Sequence, residues 1–319
     1  MNKLLHFTGI RDVPDPDRLV RRAMELRAAV PTGPKAGPTA GKTLVLLFFQ
    51  PSLRTRLSTE KAAYNLGMQV ISMDADKGWR IEFEEGAVMR SDRAEHVREA
   101  AGVISQYADV IGIRTFAGLT DRAHDYSEHV LRQFQRYATV PVLSLESATL
   151  HPLQSLADAV TIESHRPGHR PKVVLTWAPH ISALPQAVAN SFLEWMRTRA
   201  VDLWVAQPPE AALHPAFTEG LTLSHDQDAA LEGADFVYAK NWSAYEDYGK
   251  IVHPQGHWMI TPEKMARTRQ AKFMHCLPVR RNVVVADAVL DHPDSLVLEQ
   301  AANREFAAQA VLEALLAGA

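Results

Sequence analysis

The fold class that the sequence predicts is α/β, with two doubly wound parallel-sheet domains and the active site in the crevice between them. Short apolar runs alternate with longer helix-like stretches, which is the pattern of βαβ units and parallel sheets. The alternation stops at a charged loop and then begins again. The chain has 319 residues, enough for two hydrophobic cores, because single cores stop growing beyond about 250–300 residues.

The first half of the chain contains four candidate strands and two candidate helices. Apolar runs predict strands at residues 43–49, 69–73, 110–114 and 140–145. Helix-like stretches lie at residues 58–66 and 87–107. We therefore predict a first domain at residues 1–150, completed by a C-terminal helix at about residues 300–319.

The second half repeats this alternation after a loop at residues 164–171 (SHRPGHRP), where proline, glycine and charge favour a connection. Strands are predicted at residues 172–177, 201–206, 236–239 and 273–276, and helices at residues 186–199 and 301–316. The predicted second domain spans residues 151–299. Ligands of such sheets bind near the carboxyl ends of the strands.

Composition excludes several classes of partner. The formal net charge is −3, so no global field attracts nucleic acid or an anionic membrane surface. Cys276 is the single cysteine, which rules out an intrachain disulfide and favours a reducing compartment. The first residues do not resemble a signal peptide, and no apolar stretch approaches the roughly 20 residues of a membrane helix. We expect a cytoplasmic protein.

The strongest local signal is FFQPSLRTRLSTEKAA at residues 48–63. Ser52, Arg54, Thr55 and Arg56 follow an apolar strand at the point where a helix begins, so hydroxyls, guanidinium groups and helix N–H groups could bind an anion together. The Gly-Lys pair of a Walker loop is missing. The segment predicts phosphate binding; the alternative is an N-capping serine with two solvated arginines.

Three other predicted strand ends carry polar residues. Arg114 ends the strand at 110–114, HPLQ occupies residues 151–154, and HCLPVRR occupies residues 275–281. One arginine at a strand end is usually a surface ion pair, and one histidine is usually structural. Four such ends are harder to dismiss, because strand carboxyl ends converge on one crevice.

These motifs (SLRTR, the arginine of GIR, HPLQ and HCLP) resemble the aspartate/ornithine carbamoyltransferase family over nearly the whole chain. The resemblance implies carbamoyl phosphate as substrate, no metal and no organic cofactor. It implies catalytic roles for Arg114, His151 and Thr55. The residues that it implies for carbamoyl phosphate are Ser52, Leu53, Arg54, Thr55, Arg56, Trp79, Arg114, His151, Gln154, Cys276, Leu277 and Arg304.

The implied chemistry is direct transfer without a covalent enzyme intermediate. A neutral amine attacks the carbamoyl carbon, and charge builds on the carbonyl oxygen and the departing phosphate. Preorganised donors stabilise such charge by roughly 3–4 kcal/mol each. Cys276 is predicted to contribute its backbone and not a nucleophilic thiol, since an isolated cysteine is usually a small buried hydrophobe.

The predicted acceptor is an N-acylated ornithine. In the stretch YAKNWSAYEDYG at residues 238–249, Lys240 replaces the acidic residue of the ornithine enzymes and the Ser-Met-Gly loop is missing. A cation there would repel a free α-ammonium. The closer resemblance is to the N-acylornithine branch, which implies that Glu146 contacts the acceptor. It also implies that the Trp79 loop reaches a neighbouring subunit's site in a homotrimer.

The acyl group is predicted to be succinyl, with acetyl as the alternative. His180, Lys240 and Arg280 are cations that suit an extra carboxylate, and small, neutral Ala94 leaves room for it. Leu277 is a further expected acceptor contact. Val284 agrees with this prediction because the acetyl subtype carries a lysine at the position that Val284 occupies here. Arg90 and Ser91 depart from the family pattern in this region.

Three other functions stay open at this point. The chain could be an ordinary ornithine carbamoyltransferase, which Lys240 disfavours, or a non-catalytic module that binds a phosphorylated metabolite. It could also be a Rossmann oxidoreductase, but Gly-x-Gly-x-x-Gly follows none of the predicted strands.

Overall fold

The computed structural model describes residues 4–29, 37–75, 77, 79–254 and 256–317. The chain divides into two compact units. Unit 1 comprises Met1–Gly118, Ala123–Leu156 and Arg304–Ala319, and unit 2 comprises Leu119–Arg122 and Ala157–Asn303.

Strands and helices alternate along the chain. The strands are β1 Thr43–Phe48, β2 Gln69–Asp74, β3 Ile81–Glu82, β4 Glu95–His96, β5 Val110–Arg114, β6 Val142–Glu146, β7 Lys172–Trp177, β8 Asp202–Ala206, β9 Thr222–Ser224, β10 Phe236–Lys240 and β11 Lys272–Met274. The helices are α1 Pro16–Ala28, α2 Leu53–Asn65, α3 Val97–Tyr107, α4 Arg122–Tyr126, α5 His129–Tyr137, α6 Pro152–Ser164, α7 Ala187–Met196, α8 Pro215–Thr218, α9 Gln227–Leu231, α10 Pro262–Met265, α11 Asp287–Leu290 and α12 Val297–Leu316.

Each unit contains one large parallel sheet, and unit 1 also contains the two-stranded parallel sheet β3-β4. The order in unit 1 is β2-β1-β5-β6, and the order in unit 2 is β11-β10-β7-β8-β9. The order of connection therefore reverses between β1 and β5 in unit 1 and between β7 and β10 in unit 2. Such a reversal opens a crevice at the carboxyl ends of the two strands, where ligands of α/β sheets bind.

The central strands are apolar because both of their faces are buried. Residues 44–48 of β1 are all at most 3% exposed, and β5 is buried throughout. Continuous apolar runs of this kind are typical of parallel strands covered on both sides. The edge strand β2 differs, because Ile71 and Met73 are 45% and 43% exposed.

The predicted α/β class is confirmed, and most strand positions agree within a few residues. The helix predicted at residues 87–107 is wrong in its first half: it begins at Val97, after His96 caps it by accepting a hydrogen bond from the Arg98 N–H. Just before it, Glu95–His96 pairs with Ile81–Glu82. The helix predicted from residue 58 begins earlier, at Leu53.

Two predicted features of unit 2 also differ. The strand predicted at residues 273–276 ends at Met274, because the His275 N–H donates to the side chain of Gln300 and not to a neighbouring strand. The edge strand β9 was not predicted, since it has only three residues. Over the described residues, none of the helices has both the length and the apolar character needed to cross a membrane.

A close backbone approach in unit 2 yields a stability prediction. Gly249 has φ +74°, and a Cβ there would lie 1.9 Å from the Leu119 carbonyl oxygen. Gly220 has the same φ of +74° with no atom within 4 Å of its Cβ position, so Gly220→Ala is a matched control. We expect Gly220→Ala to lower the free energy of unfolding by about 1–2 kcal/mol. Gly249→Ala should cost about 1–3 kcal/mol more, because the backbone must move.

Urea denaturation followed by tryptophan fluorescence measures both variants. Five of the six tryptophans lie in unit 2, so the signal reports on that unit. Equal losses in the two variants would contradict the close approach of Gly249 to Leu119.

Candidate active site

The first group of predicted site residues lies at one edge of the unit 1 sheet, where β1, β5 and β6 end. Ser52 precedes α2 and caps it, with its Oγ accepting from the Thr55 N–H at 3.3 Å. Arg114 is the last residue of β5, Glu146 is the last residue of β6, and His151 precedes α6. The strand order β1-β5-β6 makes these three ends neighbours.

Arg304 contacts three predicted site residues of unit 1: Thr55, Gln154 and His151. It lies in α12, is 4% exposed, and donates from Nη2 to Thr55 Oγ1 at 2.7 Å. Its Nη1 donates to Gln154 Oε1 and lies 3.5 Å from His151 Nε2. The hydroxyl of Thr55 accepts in this contact, so its own hydrogen can still be donated to a ligand. A buried guanidinium is costly unless it is paired in this way.

Arg114 is held in a second buried group. Its Nη2 donates to Glu146 Oε2 at 2.8 Å, and its Nη1 lies 3.1 and 3.2 Å from the carbonyl oxygens of Gln50 and Pro51. His151 Nε2 is 3.6 Å from the same Glu146 carboxylate. The Nε of Arg114 is buried, with no hydrogen-bond partner among the described residues. A buried donor of this kind is available to an anion.

Glu146 joins two predicted site residues of unit 1. Its described contacts are with Arg114 and His151, and its predicted contact with the acceptor stays a prediction. Its carboxylate offsets the charge of the Arg114 guanidinium and fixes the direction of that side chain. Removing one member of a buried pair leaves an uncompensated charge, so the two residues depend on each other.

The remaining members of the SLRTR motif differ in exposure. Arg56 donates to Ser72 Oγ at 2.8 Å and forms an ion pair with Asp74, and its guanidinium lies 4.4 Å from the centre of the Phe48 ring. Hydrogen bonds from Arg56 and Lys77 lower the pKa of Asp74. Arg54 is half-buried, and Leu53 is 69% exposed.

Trp79 and Ala94 occupy the small two-stranded region of unit 1. Trp79 is 55% exposed, and its Nε1 donates to Glu95 Oε2 at 2.9 Å. Ala94 is exposed, and its N–H donates to the Arg80 carbonyl oxygen at 2.8 Å. Neither residue belongs to the Arg304 or Arg114 group in the described contacts.

A second group of predicted residues lies at the carboxyl ends of β7, β10 and β11 in unit 2, which are adjacent in the sheet. His180 follows β7, Lys240 ends β10, and Arg280 follows β11. Arg280 donates from Nε to His180 Nε2 at 3.2 Å. Val284 is 1% exposed, so its side chain belongs to the interior of unit 2.

His180 was predicted to be a cation, but its surroundings favour the neutral imidazole. Burial is the largest cause of its lowered pKa; the Ser182 backbone contact opposes this shift, and the nearby charges of Lys240 and Arg280 each add a smaller lowering effect. Its Nε2 accepts from Arg280, which requires a neutral ring, and its Nδ1 faces the Ser182 backbone, 3.0 Å from the carbonyl oxygen and 3.1 Å from the N–H. Lys240 and Arg280 therefore supply the positive charge of this group.

Cys276 and Leu277 lie in a turn directly after β11. Cys276 is 7% exposed, and Leu277 adopts a left-handed conformation with φ +56°. The N–H of Leu277 donates to His275 Nδ1 at 2.9 Å. The turn thus has a fixed conformation, with its own side-chain support.

Several residues that hold the site residues in place were not predicted from the sequence. Glu128 accepts from Ser147 Oγ at 2.7 Å and from the Thr149 N–H at 2.8 Å, which orders the loop between Glu146 and His151. Gln300 accepts from the His275 N–H at 2.9 Å. His275 belongs to the HCLP motif, whereas Glu128 and Gln300 belong to none of the motifs identified in the sequence.

The two groups suit different ligands. The unit 1 group offers guanidinium, imidazole, hydroxyl and amide groups, a set suited to a phosphorylated carbonyl compound. The unit 2 group offers two cations and a neutral histidine, which suit a carboxylate. Within the described residues, no cluster of three or more His, Cys, Asp or Glu side chains could hold a metal ion.

Two family models match the chain. The carbamoyl-P binding domain of aspartate/ornithine carbamoyltransferase matches residues 5–164, and the Asp/Orn binding domain matches residues 185–315. N-succinylornithine carbamoyltransferase of Bacteroides thetaiotaomicron is 47% identical over 315 residues, covering 98% of each chain. N-acetylornithine carbamoyltransferase of Xanthomonas campestris pv. campestris is 39% identical over 298 residues, covering 86% of this chain and 88% of the relative.

A solved structure is also similar. It is an N-acetyl-L-ornithine transcarbamylase with one glutamate replaced by alanine, in complex with carbamyl phosphate and N-succinyl-L-norvaline. The TM-score is 0.89 at 35% identity, and the match covers 97% of this chain and 99% of the other. Sequence and fold comparisons therefore agree, and the chain belongs to the aspartate/ornithine carbamoyltransferase family.

Proposed function

We propose that this enzyme transfers the carbamoyl group of carbamoyl phosphate to the δ-amine of N-succinyl-L-ornithine, giving N-succinyl-L-citrulline and phosphate, in arginine biosynthesis. The observation that carries the donor half of this proposal is the buried contact of Arg304 with Thr55, Gln154 and His151 in unit 1. The acceptor half depends on the Arg280–His180 contact in unit 2, together with Lys240.

Unit 1 is the proposed carbamoyl-phosphate domain. Ser52, Leu53, Arg54 and Arg56 would hold the phosphate through the first turn of α2, where backbone N–H groups add to the side chains. For Arg56 this requires the guanidinium to leave Asp74 and pair with the phosphate instead. Both partners are anions, and the ion pair with Asp74 is half-exposed. Arg304 would reach the donor from the opposite end of the chain.

The carbonyl oxygen of the donor is proposed to accept hydrogen bonds from Thr55, Arg114 and His151. All three are at most 8% exposed, so their donors act with little competition from water. Glu146 and the carbonyls of Gln50 and Pro51 hold Arg114 in place before substrate binds. Such preorganisation lowers the barrier because the groups need not reorient as charge develops.

Gln154 and the backbone of Cys276 and Leu277 are proposed to orient the carbamoyl nitrogen. Gln154 Oε1 already accepts from Arg304, and a carbonyl oxygen with two lone pairs can accept a second hydrogen bond. The neutral δ-amine then attacks the carbamoyl carbon, the C–O bond to phosphate breaks, and the departing phosphate takes up the proton that the amine loses. No covalent enzyme intermediate is required.

Unit 2 is the proposed acceptor domain. Arg280 and Lys240 would pair with the carboxylates of the acylated ornithine, and His180 would donate to one of them once protonated. In the solved relative, replacement of a glutamate by alanine accompanies a complex with a succinyl ligand. Ala94, which by family resemblance stands at a position where an acidic side chain would crowd the succinyl group, is likewise small and neutral.

A homotrimer with shared active sites is proposed from an exposed apolar surface on unit 1. Leu53 and Leu57 share one face of α2 and are 69% and 59% exposed, while Ile71 and Met73 share one face of the edge strand β2. Apolar side chains on an edge strand are a liability unless another surface covers them. The exposed Trp79 lies in the loop that follows β2 in sequence.

The acceptor panel is the direct test of the proposed function. Citrulline-type product is measured from carbamoyl phosphate with ornithine, N-acetylornithine and N-succinylornithine side by side. We expect turnover with the succinyl compound to exceed the other two by at least about tenfold, since one carboxylate–arginine interaction contributes about 1.5–3 kcal/mol. Preference for N-acetylornithine would retain the chemistry and reject the acyl group, and preference for ornithine would reject the acceptor class.

Neighbouring arginines provide a matched pair for the acyl pocket. Arg280 contacts His180, whereas Arg281 forms exposed ion pairs with Asp287 and Asp291. We expect Arg280→Ala to raise the KM for N-succinylornithine about tenfold or more, while the KM for carbamoyl phosphate stays within about twofold. Arg281→Ala should change neither KM. Equal effects on the two substrates in Arg280→Ala would contradict its place in the acyl pocket.

The shared trimer can be tested by light scattering and by mixing inactive variants. We expect a particle of three times the 35.4 kDa chain mass, and Met73→Asp should dissociate it by placing a charge on the covered face. Arg114→Ala and Trp79→Ala chains are then mixed under conditions that exchange subunits. Partial recovery of activity supports sites built from two chains, and absence of recovery in verified mixed trimers contradicts them.

A further inference from the structure

The turn after β11 adopts a backbone conformation that its own sequence disfavours. Leu277 has φ +56°, in the left-handed region that costs a non-glycine residue about 1–2 kcal/mol. The turn persists only if its surroundings compensate for that cost. Three side chains of unit 2, those of His275, Gln300 and Asp158, supply the compensating contacts, and none of them was among the predicted site residues.

His275 stabilises the turn from within. Its Nδ1 accepts a hydrogen bond from the N–H of Leu277 at 2.9 Å, which closes a small ring of the kind that asparagine and aspartate side chains form in turns. His275 is 2% exposed, so water does not compete for the N–H of Leu277. An accepting Nδ1 requires that the neutral imidazole carry its proton on Nε2.

Gln300 and Asp158 fix the start of the turn from two helices. Gln300 in α12 accepts from the His275 N–H at 2.9 Å and donates from Nε2 to Asp158 Oδ1, in α6, at 2.7 Å. Both residues are fully buried. A carboxylate can only accept, so the amide of Gln300 has one orientation, with its oxygen toward His275.

Tyr238 belongs to the same buried group. It is fully buried on β10, and burial, followed by the neighbouring Asp158 and Cys276, raises its pKa well above the ordinary value. The phenol therefore stays neutral beside the Asp158 carboxylate. The carboxylate thus anchors a hydrogen-bonded path through Gln300 that reaches the turn at His275.

We propose that His275 and Gln300 are positioning residues of the carbamoyl transfer reaction, which hold the Cys276–Leu277 peptide and the following Arg280 segment in the binding conformation, with Asp158 as their anchor. This inference rests on the proposed function, because the turn matters for rate only if Cys276 and Leu277 contact substrate. Neither positioning residue touches the reacting atoms.

Two substitutions at one position separate positioning from packing. In His275→Asn the amide oxygen lies the same number of bonds from Cα as Nδ1 of histidine, so it can accept from the Leu277 N–H. In His275→Gln the amide oxygen lies one bond farther, where Nε2 was. We expect His275→Gln to lower kcat/KM for carbamoyl phosphate about three- to tenfold, the equivalent of one hydrogen bond, and His275→Asn to restore it.

Hydrogen exchange of the 273–281 segment, followed by mass spectrometry, provides a readout independent of turnover. The segment should exchange faster in His275→Gln and at the wild-type rate in His275→Asn. Gln300→Met keeps the volume but removes both hydrogen bonds, and it should speed exchange at the same segment. Thermal melting of each variant identifies those that fail to fold. A variant that fails is replaced by the milder Asp158→Asn, which should change kcat/KM and exchange in the same direction but by less.

The outcomes distinguish the two proposals. If the wild-type enzyme turns over none of the three acceptors, the proposed function fails, and the exchange data still test the turn. If the wild-type enzyme is active but the asparagine and glutamine variants have equal kcat/KM and equal exchange, the positioning role of His275 is overturned. Folded variants with unequal kcat/KM and unequal exchange at the 273–281 segment are the expected result.

Discussion

A single buried guanidinium determines how the donor group of unit 1 is assembled. Arg304 is 4% exposed, and Thr55, Gln154 and His151 supply oxygen and nitrogen partners that offset the burial of its charge. Those partners come from the start of α2 and from the segment around the start of α6, so one side chain fixes two segments at once. The arrangement costs desolvation energy, which the hydrogen bonds offset, and it leaves donors preorganised for an anion.

The His180 group of unit 2 has a different electrostatic character. Burial is the main effect that lowers the pKa of His180, and the charges of Lys240 and Arg280 lower it further, so the imidazole is favoured in its neutral form. A carboxylate bound among these residues would offset the two cations, whereas the larger effect of burial on the pKa would stay.

Part of this organisation could be predicted from the sequence. Apolar runs gave the central strands because both faces of those strands are buried, and the rule for parallel sheets predicted that residues after β1, β5 and β6 lie at one edge. The false helix at residues 87–96 arose because local propensity contains no information about pairing with Ile81–Glu82. The partners in the ion pairs could not be predicted from the sequence either. Glu146 pairs with Arg114 and Arg56 pairs with Asp74 because these residues are neighbours in the folded chain.

The path of the chain places one constraint on synthesis. Unit 1 is discontinuous, since its first segments are made early and its last, beginning at Arg304, is made at the very end. On the ribosome, nearly all of unit 2 is synthesised after Thr55 and Gln154 and before Arg304, whose guanidinium joins these two residues. Unit 2, continuous from Ala157 to Asn303 apart from a short stretch made earlier, has no such delay and can fold first. A chain that terminates a few residues before position 304 would thus lack the Arg304 contacts with Thr55 and Gln154 while retaining nearly the whole of unit 2.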